Sequence, residues 1–296
     1  MITFENRIVQ EDLKGIISAS YLNLEKLRGK TILITGVSGM LATYLAYTIY
    51  YLNIHENFQT KIIGTARNME KANAKFQNLS KEYFELIQHD VTEPLEYEGA
   101  IDYIIHAASN ASPKFISTDP VGIIKANTLG TMNLLELSRK KTIQNFLFLS
   151  TREIYGKSIK NSLTEQDYGG FDILSPRACY PESKRMAETL LESYAVQYKI
   201  PYTVARIAHS YGPGMEVNND GRIMSDLISN VVNSEDIILK SEGTAERAFC
   251  YLSDATTALL TILLNGDSGQ AYNVANEDEP IQIRELAQKL VTLLPE

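Results

Sequence analysis

From Lys30 onward the sequence alternates between short apolar runs and longer segments with helical spacing of apolar residues. The apolar runs, rich in β-branched residues, are TILITG, KIIGTAR, FELIQHDV, IDYIIHAAS, FLFLST and PYTVARI. Runs that are apolar on both faces are typical of parallel strands covered by helices on both sides. Between them, helices are predicted over LATYLAYTIYYL, over MEKANAKFQNL, over 119–140 and from Tyr180 onward. The alternation predicts an α/β fold with a doubly wound parallel sheet.

The first strand leads directly into a glycine-containing turn, TILITGVSGMLA. Gly36, Gly39 and Ala42 stand in a G-x-x-G-x-x-A arrangement between a strand and a helix. The first glycine permits a tight turn, the second lets backbone N–H groups approach a pyrophosphate, and the small third residue allows close helix packing. We therefore predict a dinucleotide site that includes Gly36, Ser38, Gly39 and Met40.

The residues after the next two strands bear on the choice of dinucleotide. Arg67 and Asn68 follow KIIGTA, where a site that prefers NAD has an acidic residue for the ribose hydroxyls. An arginine there can pair with a 2′-phosphate, which favours NADP, although it can also stack on adenine or point to solvent. Asp90 and Val91 end the following strand, and Asp90 either contacts the adenine or is an ordinary strand-end residue.

Three segments divide the chain. Residues 1–28 contain IVQEDLKGIISASYLNLEKLR, which predicts a helical extension of unassigned role. Residues 29–207 form the predicted dinucleotide-binding domain. Residues 208–296 begin with HSYGPGMEVNNDGR, typical of an irregular loop, and end in the amphipathic helix IRELAQKLVTLL. We expect this third segment to be a smaller substrate lobe, with parts that return to the dinucleotide-binding domain.

Composition excludes several classes of partner. The chain has 296 residues and a formal net charge of -8, which argues against nucleic acid and anionic membranes as partners. Cys179 and Cys250 are its two cysteines, without a CxxC or Cys/His cluster, so neither a disulfide scaffold nor a metal site is predicted. No apolar stretch reaches the roughly 18 residues of a membrane-spanning helix, and the N-terminus lacks a signal-like apolar region. We expect a cytoplasmic protein.

The stretch CYPESK places Tyr180 and Lys184 four residues apart, on one face of a predicted helix. Spacing alone does not distinguish a solvated helix face from a phenol whose ionisation depends on the lysine. The motifs in the rest of the sequence distinguish these two possibilities. TGVSGMLA, IIHAAS, ANTLGTMNLLE, LSTREIYG, RACYPESKRMAE, ARIAHSYGPG and ERAFCYLSD resemble, in order and spacing, those of the extended short-chain dehydrogenase/reductase family, in its nucleotide-sugar epimerase/dehydratase branch.

The resemblance extends from about Lys30 to Leu294 and implies a Rossmann domain with a sugar-nucleotide lobe and enzyme-held NAD(P). The family's YxxxK pair falls on Tyr180 and Lys184, and its Ser/Thr falls on Thr151. Positions that line the cofactor fall on Ala107, Ala108 and Asn127. By this resemblance Lys184 lowers the pKa of Tyr180, which removes the sugar 4-OH proton as hydride leaves C4, while Thr151 holds the hydroxyl. The product is a 4-keto sugar.

The stretch LSTREIYG bears on the second half of the reaction. Dehydratases of this type carry Thr-Asp-Glu there and decarboxylases carry Thr-Ser-Glu, whereas this chain has Thr151, Arg152 and Glu153. A guanidinium cannot donate a proton near neutrality, so dehydration by the usual route is in doubt, while Glu153 favours further acid/base work. RACY, RIMSDLI and ERAFCYLSD look most like UDP-glucuronate decarboxylases. The alternatives are a 4,6-dehydratase such as dTDP-glucose 4,6-dehydratase, an epimerase or reductase, and a non-catalytic NAD(P)-binding protein.

Four residues are substrate candidates. Arg152 either holds a C6 carboxylate or turns outward. His209 stands where relatives have asparagine, Arg247 matches the family arginine near the nucleotide phosphates, and Arg222 follows NNDG. Relatives continue some tens of residues beyond this chain, so we expect either a truncated sequence or a small lobe.

The resemblance also implies a homodimer, through the helices at 119–140 and after Tyr180. The apolar positions that we predict for this face, and that core packing would also explain, are Ile123, Ile124, Leu134, Leu135, Met186, Leu190 and Leu191.

Overall fold

The computed structural model describes residues 2–157, 160, 162–218 and 220–293. The helices are α1 Arg7–Ile17, α2 Met40–Glu56, α3 Met69–Phe76, α4 Pro113–Thr118, α5 Pro120–Arg139, α6 Cys179–Tyr198, α7 Ile223–Val232, α8 Leu252–Asn265 and α9 Ile283–Thr292. The strands are β1 Thr31–Thr35, β2 Lys61–Ala66, β3 Phe84–Gln88, β4 Tyr103–His106, β5 Asn145–Thr151, β6 Tyr202–Ile207, β7 His209–Tyr211, β8 Glu246–Arg247, β9 Phe249–Tyr251, β10 Gln270–Val274 and β11 Ile281–Gln282. Short 3₁₀ turns lie at Leu24–Leu27, Arg152–Tyr155 and Pro176–Ala178.

The central sheet has seven strands in the order β10-β6-β5-β4-β1-β2-β3, all parallel. The predicted doubly wound α/β fold is confirmed, including its six predicted strands. The order reverses between β1 and β4, where Thr35 lies opposite His106 at the carboxyl ends of the strands. In open α/β sheets this is the edge at which ligands bind.

Helices cover both faces of the sheet. On one face α2 and α8 pack with α1, and α2 is apolar on nearly all sides, with Tyr44 and Tyr47 fully buried. On the other face α5 and α6 pack together and contribute Leu134, Leu135 and Leu191 to a second core cluster. Because α6 is fixed by this packing, its first turn has a defined position above the end of β5.

The N-terminal extension is an integral part of the first core. Its helix ends at Ile17, earlier than the predicted segment, and its apolar face is buried. Asp12 Oδ2 accepts hydrogen bonds from the phenols of Tyr44 at 2.9 Å and Tyr251 at 3.0 Å. The extension thereby connects α2 to the end of β9.

The C-terminal third contains more regular structure than the sequence predicted. A short strand, β7, lies at the start of the predicted irregular loop and pairs in parallel with β9. The edge strand β10 joins the main sheet beside β6, and the buried helix α8 packs in the first core cluster. None of the helices within the described ranges is both long and apolar enough to cross a membrane.

Candidate active site

The glycine turn between β1 and α2 has the geometry of a phosphate-binding turn. Gly36 adopts a φ of 61°, and a Cβ there would lie 2.7 Å from the Ala108 Cα. Only glycine fits so close to the neighbouring strand end. Thr35 Oγ1 accepts hydrogen bonds from the backbone N–H groups of Ala107 and Ala108, at 3.2 and 3.3 Å. Gly39 then caps α2, whose first N–H groups provide a site for an anion.

The residues predicted at the adenosine end lie together after β2 and β3. Arg67 Nη1 lies 3.6 Å from Asp90 Oδ2, so the two side chains form a partly exposed ion pair. The Asn68 side chain accepts a hydrogen bond from Lys71 N at 2.8 Å and caps α3, while Val91 is buried. The Asn68 side chain is therefore used in capping, and the cofactor roles of these residues stay predictions.

The structure brings Thr151, Tyr180 and Lys184 together at the carboxyl end of β5. Thr151 is the last residue of that strand, and its hydroxyl lies close enough to the phenol of Tyr180, in the first turn of α6, to affect the pKa of that phenol. Tyr180 is 6% exposed and Lys184 is 3% exposed. Lys184 Nζ donates to the Leu149 carbonyl at 2.6 Å and lies 4.5 Å from the centre of the Phe148 ring.

Burial dominates the ionisation of both groups. It raises the pKa of Tyr180 to about 12, against the opposing effect of the neighbouring Thr151 hydroxyl. It lowers the pKa of Lys184 to about 7, against the opposing charge of Glu188. The lowered pKa predicted for Tyr180 is therefore not produced by the protein atoms alone. Desolvation disfavours the charged form of each group, which raises the pKa of the phenol and lowers that of the ammonium. The Lys184 ammonium also donates to the Leu149 carbonyl of β5 rather than to the phenol.

Asn127 on α5 is fully buried beside the first turn of α6. Its Nδ2 donates to Ser183 Oγ at 2.9 Å, and Ser183 Oγ donates to the Tyr180 carbonyl at 3.0 Å. The Oδ1 atom of Asn127 has no hydrogen-bond partner within the described part of the chain. The side chain thus fixes the helix that carries Tyr180 and retains an acceptor that a ligand can use.

Glu153 is held by an arginine that the sequence reasoning missed. Both carboxylate oxygens of Glu153 lie 2.9 Å from Arg177 Nη2, and its backbone N–H donates to Thr151 Oγ1 at 3.2 Å. Arg177 lies in the RACY stretch, three residues before Tyr180, so its position beside the catalytic candidate was the available signal. Glu153 thereby contacts Thr151 at the end of β5 and Arg177 just before α6.

All four substrate candidates lie near one another, with Arg222 paired to the buried carboxylate of Asp220 and Arg152 beside Glu153. Burial lowers the pKa of His209 to about 3, and the nearby charges of Arg152, Arg247 and Arg222 lower it further. Burial also lowers the pKa of Arg152, with contributions from Arg247 and Arg177. Cations close enough to affect one another, in a chain of net charge -8, indicate a site for an anionic ligand.

The comparisons with known proteins agree with this arrangement. The model of the NAD dependent epimerase/dehydratase family matches residues 32–275. The chain belongs to this family. It is 36% identical over 268 residues to UDP-glucuronic acid decarboxylase 6 of Arabidopsis thaliana, an alignment that covers 89% of this chain and 74% of that protein. The predicted family resemblance, with UDP-glucuronate decarboxylases among the similar proteins, is confirmed.

Two solved structures show the same fold at low sequence identity. The dTDP-glucose 4,6-dehydratase of Bacillus anthracis in complex with NAD is 22% identical, with a TM-score of 0.73 and coverage of 89% of this chain and 80% of that one. The UDP-glucose 4-epimerase of Thermotoga maritima with UDP-glucose is 22% identical, with a TM-score of 0.73 and coverage of 90% and 84%. At this level of identity they show the fold alone.

Proposed function

We propose that this protein is a nucleotide-sugar enzyme that oxidises C4 of its substrate with bound NAD, and that it acts as a UDP-glucuronate decarboxylase. The observation that carries the proposal is the placement of Thr151, Tyr180 and Lys184 between the glycine turn and the cluster of arginines. A hydride acceptor, a proton acceptor and an anionic sugar nucleotide would meet there. The similarity to UDP-glucuronic acid decarboxylases supports the choice of substrate.

The residues present fit a dinucleotide. The missing Cβ of Gly36 allows the turn to approach Ala108, and the N-terminus of α2 faces the place for a diphosphate. Asn127 and Lys184 would lie toward the nicotinamide end. When bound, the dinucleotide supplies the hydride acceptor for C4.

The choice between NAD and NADP rests on Arg67. Its side chain is 59% exposed, which would let it pair with a 2′-phosphate, as the sequence suggests. Asp90 already pairs with it and carries a charge that opposes a second anion. We propose NAD as the resident dinucleotide, with NADP as the alternative that Arg67 favours. Mass analysis of the dinucleotide released on denaturation distinguishes the two.

Tyr180 is the proposed acceptor of the 4-OH proton. The Thr151 hydroxyl lies beside the phenol and would bind the same substrate hydroxyl. The positive charges of Arg177 and Arg222 lower the pKa of Tyr180 against the effect of burial, so they favour the phenolate. The protonated form of Lys184 would favour it further, because an ammonium ion stabilises a neighbouring anion.

The arginines account for the two anionic parts of a nucleotide uronate. We assign Arg247 to the diphosphate, as the resemblance implies, and Arg152 to the C6 carboxylate. Oxidation at C4 makes the sugar a β-keto acid, which loses carbon dioxide and leaves an enolate for protonation. Glu153, held by Arg177, is the proposed acid/base group for this second half.

A second candidate, 4-epimerisation with retention of the carboxylate, is favoured by Arg152 itself. Decarboxylation moves negative charge from the carboxylate to the enolate oxygen. A guanidinium paired with the carboxylate stabilises the charge where it starts, and interactions stronger in the ground state than in the transition state slow a reaction. A 4,6-dehydratase is disfavoured because Arg152 cannot act as the acid for the leaving hydroxyl.

We also propose a homodimer in which α5 and α6 of two copies meet. Ile124 and Met186 of the predicted face are exposed, as is Val121. Four other positions are buried in the core, the alternative that the sequence also allowed: Leu134, Leu135 and Leu191 pack against the sheet, and Ile123 packs with Ile116 and Tyr180. A cytoplasmic location is proposed from the unpaired Cys179 and Cys250.

Reduction of the bound dinucleotide on addition of UDP-glucuronate tests the proposal in a single turnover. Wild-type protein should show transient NADH absorbance. Tyr180→Phe should keep the dinucleotide and lose this signal. Tyr168→Phe, at an exposed tyrosine, is the matched control and should behave as wild type. Normal NADH formation by Tyr180→Phe would refute the catalytic role.

A further inference from the structure

Lys75 is a buried lysine that contacts the glycine turn from behind. It lies on α3 and is 6% exposed. Its Nζ donates to the Ser38 carbonyl at 2.8 Å and to Thr43 Oγ1 at 3.2 Å. Thr43 in turn donates to the Val37 carbonyl at 3.0 Å. One ammonium group thus fixes the peptide between the two glycines of the turn and the first turn of α2.

This ammonium has no carboxylate at salt-bridge distance among the residues that the structure describes. The titratable groups near it are Lys71 on its own helix and Tyr47 on α2. The Tyr47 phenol donates to the Lys75 carbonyl at 2.8 Å, and burial raises its pKa, so it stays neutral. Buried charges in proteins are normally paired, because an unpaired one is costly. The place for the missing negative charge is across the turn, where the dinucleotide diphosphate would bind.

We propose that Lys75 is a positioning residue for the diphosphate: it holds the Ser38 carbonyl so that the N–H groups of the turn face the phosphates, and the bound diphosphate balances its charge. The inference rests on the proposed dinucleotide site.

The inference gives a pH dependence of definite sign. Burial lowers the pKa of Lys75 to about 8, with a contribution from Lys71. A bound anion raises this pKa, so the affinity is full at low pH, where Lys75 is protonated in the free protein. As pH rises through the free-protein value, binding requires uptake of a proton and the affinity falls.

ADP is the suitable probe, because it carries the diphosphate but lacks the nicotinamide ribose that would reach Lys184. Its terminal phosphate has a pKa of about 6, so its charge is constant above neutrality. Calorimetric titration from about pH 7 to pH 9.5 brackets the pKa of Lys75. Wild-type affinity for ADP should fall across this range. Lys75→Met should bind ADP about tenfold more weakly at pH 7, the effect of losing one charge-assisted hydrogen bond, and lose this pH dependence.

Two further variants distinguish loss of the Lys75 charge from a general effect of substitution on folding. Lys75→Arg keeps the charge and should bind ADP tightly across the whole pH range. Lys71→Met removes an exposed lysine one helical turn away and should keep tight binding of ADP at pH 7; because the Lys71 charge lowers the pKa of Lys75, the fall in affinity should move to higher pH. The inference is overturned if Lys75→Met binds ADP as wild type does, or if wild-type affinity is independent of pH. Wild-type protein that binds neither ADP nor NAD would instead refute the proposed dinucleotide site.

Discussion

Replacement of Glu188 by glutamine should destabilise the protein strongly. Glu188 Oε2 lies 2.7 Å from Arg206 Nη2, and the two side chains are 15% and 13% exposed. Ser150 Oγ donates to the other carboxylate oxygen at 2.5 Å, so the pair connects β5 and β6 to α6. Glu188→Gln leaves the guanidinium buried without its counter-charge, a change that costs about 3–5 kcal/mol of unfolding free energy.

The same variant should alter the pH profile of turnover. Glu188 raises the pKa of Lys184 against the effect of burial, so its removal lowers that pKa below about 7. In the variant, Lys184 therefore loses its proton at a lower pH than in the wild type. The alkaline limb of kcat should therefore move to lower pH, because the proposed mechanism uses the ammonium form.

Urea unfolding followed by far-ultraviolet circular dichroism measures the stability change. Glu11→Gln is the matched control, since the Arg7–Glu11 pair has a similar separation of 2.8 Å but is 90% and 62% exposed. That change should leave the unfolding midpoint nearly unchanged, because both side chains are solvated. The double variant Glu188→Gln, Arg206→Met should recover part of the lost stability. A loss below about 1 kcal/mol in Glu188→Gln would show that the pair is not a buried structural interaction.

Three other changes test separate parts of the structure. Gly36→Ala should lower stability by at least about 1 kcal/mol and abolish copurification of the dinucleotide, because of its positive φ and the contact with Ala108; a normal dinucleotide content would contradict this. Asp12→Ala leaves two phenols without their acceptor and should cost about 2 kcal/mol in urea unfolding, whereas an unchanged midpoint would show that the N-terminal helix does not depend on this contact. Arg152→Ser should raise KM for UDP-glucuronate about tenfold and leave the Kd for UDP-glucose unchanged, while equal effects on both sugars would exclude pairing with the carboxylate.

The site edge was predictable because it follows from topology. Buried parallel strands have a distinctive apolar sequence, and their carboxyl ends meet at one edge. The residues that follow each strand could therefore be placed together before the structure was considered. Thr35, Ala107 and Thr151 do lie at this edge, on three adjacent strands. The doubly wound topology therefore allows residues that are distant in the sequence to be assigned to one site.

Some of the features that sequence reasoning missed depend on tertiary contacts. Lys75 looks like a solvated helix residue, and its burial is decided by a contact with a turn 37 residues away. Arg177 meets Glu153 across 24 residues. The helix α8 could also have been predicted, because its buried residues Leu252, Leu259 and Leu263 recur at helical spacing. The capping role of Asn68 was readable in principle, since asparagine before a helix is a typical N-cap.

The most direct test of the central claim is the mass of the product formed from UDP-glucuronate by the purified protein. The account predicts a product lighter by one carbon dioxide, formed without added reductant because the bound dinucleotide is restored in each turnover. An isomer of unchanged mass would support the epimerase instead. Unaltered UDP-glucuronate, with Tyr180 intact and the dinucleotide bound, would contradict the proposed function.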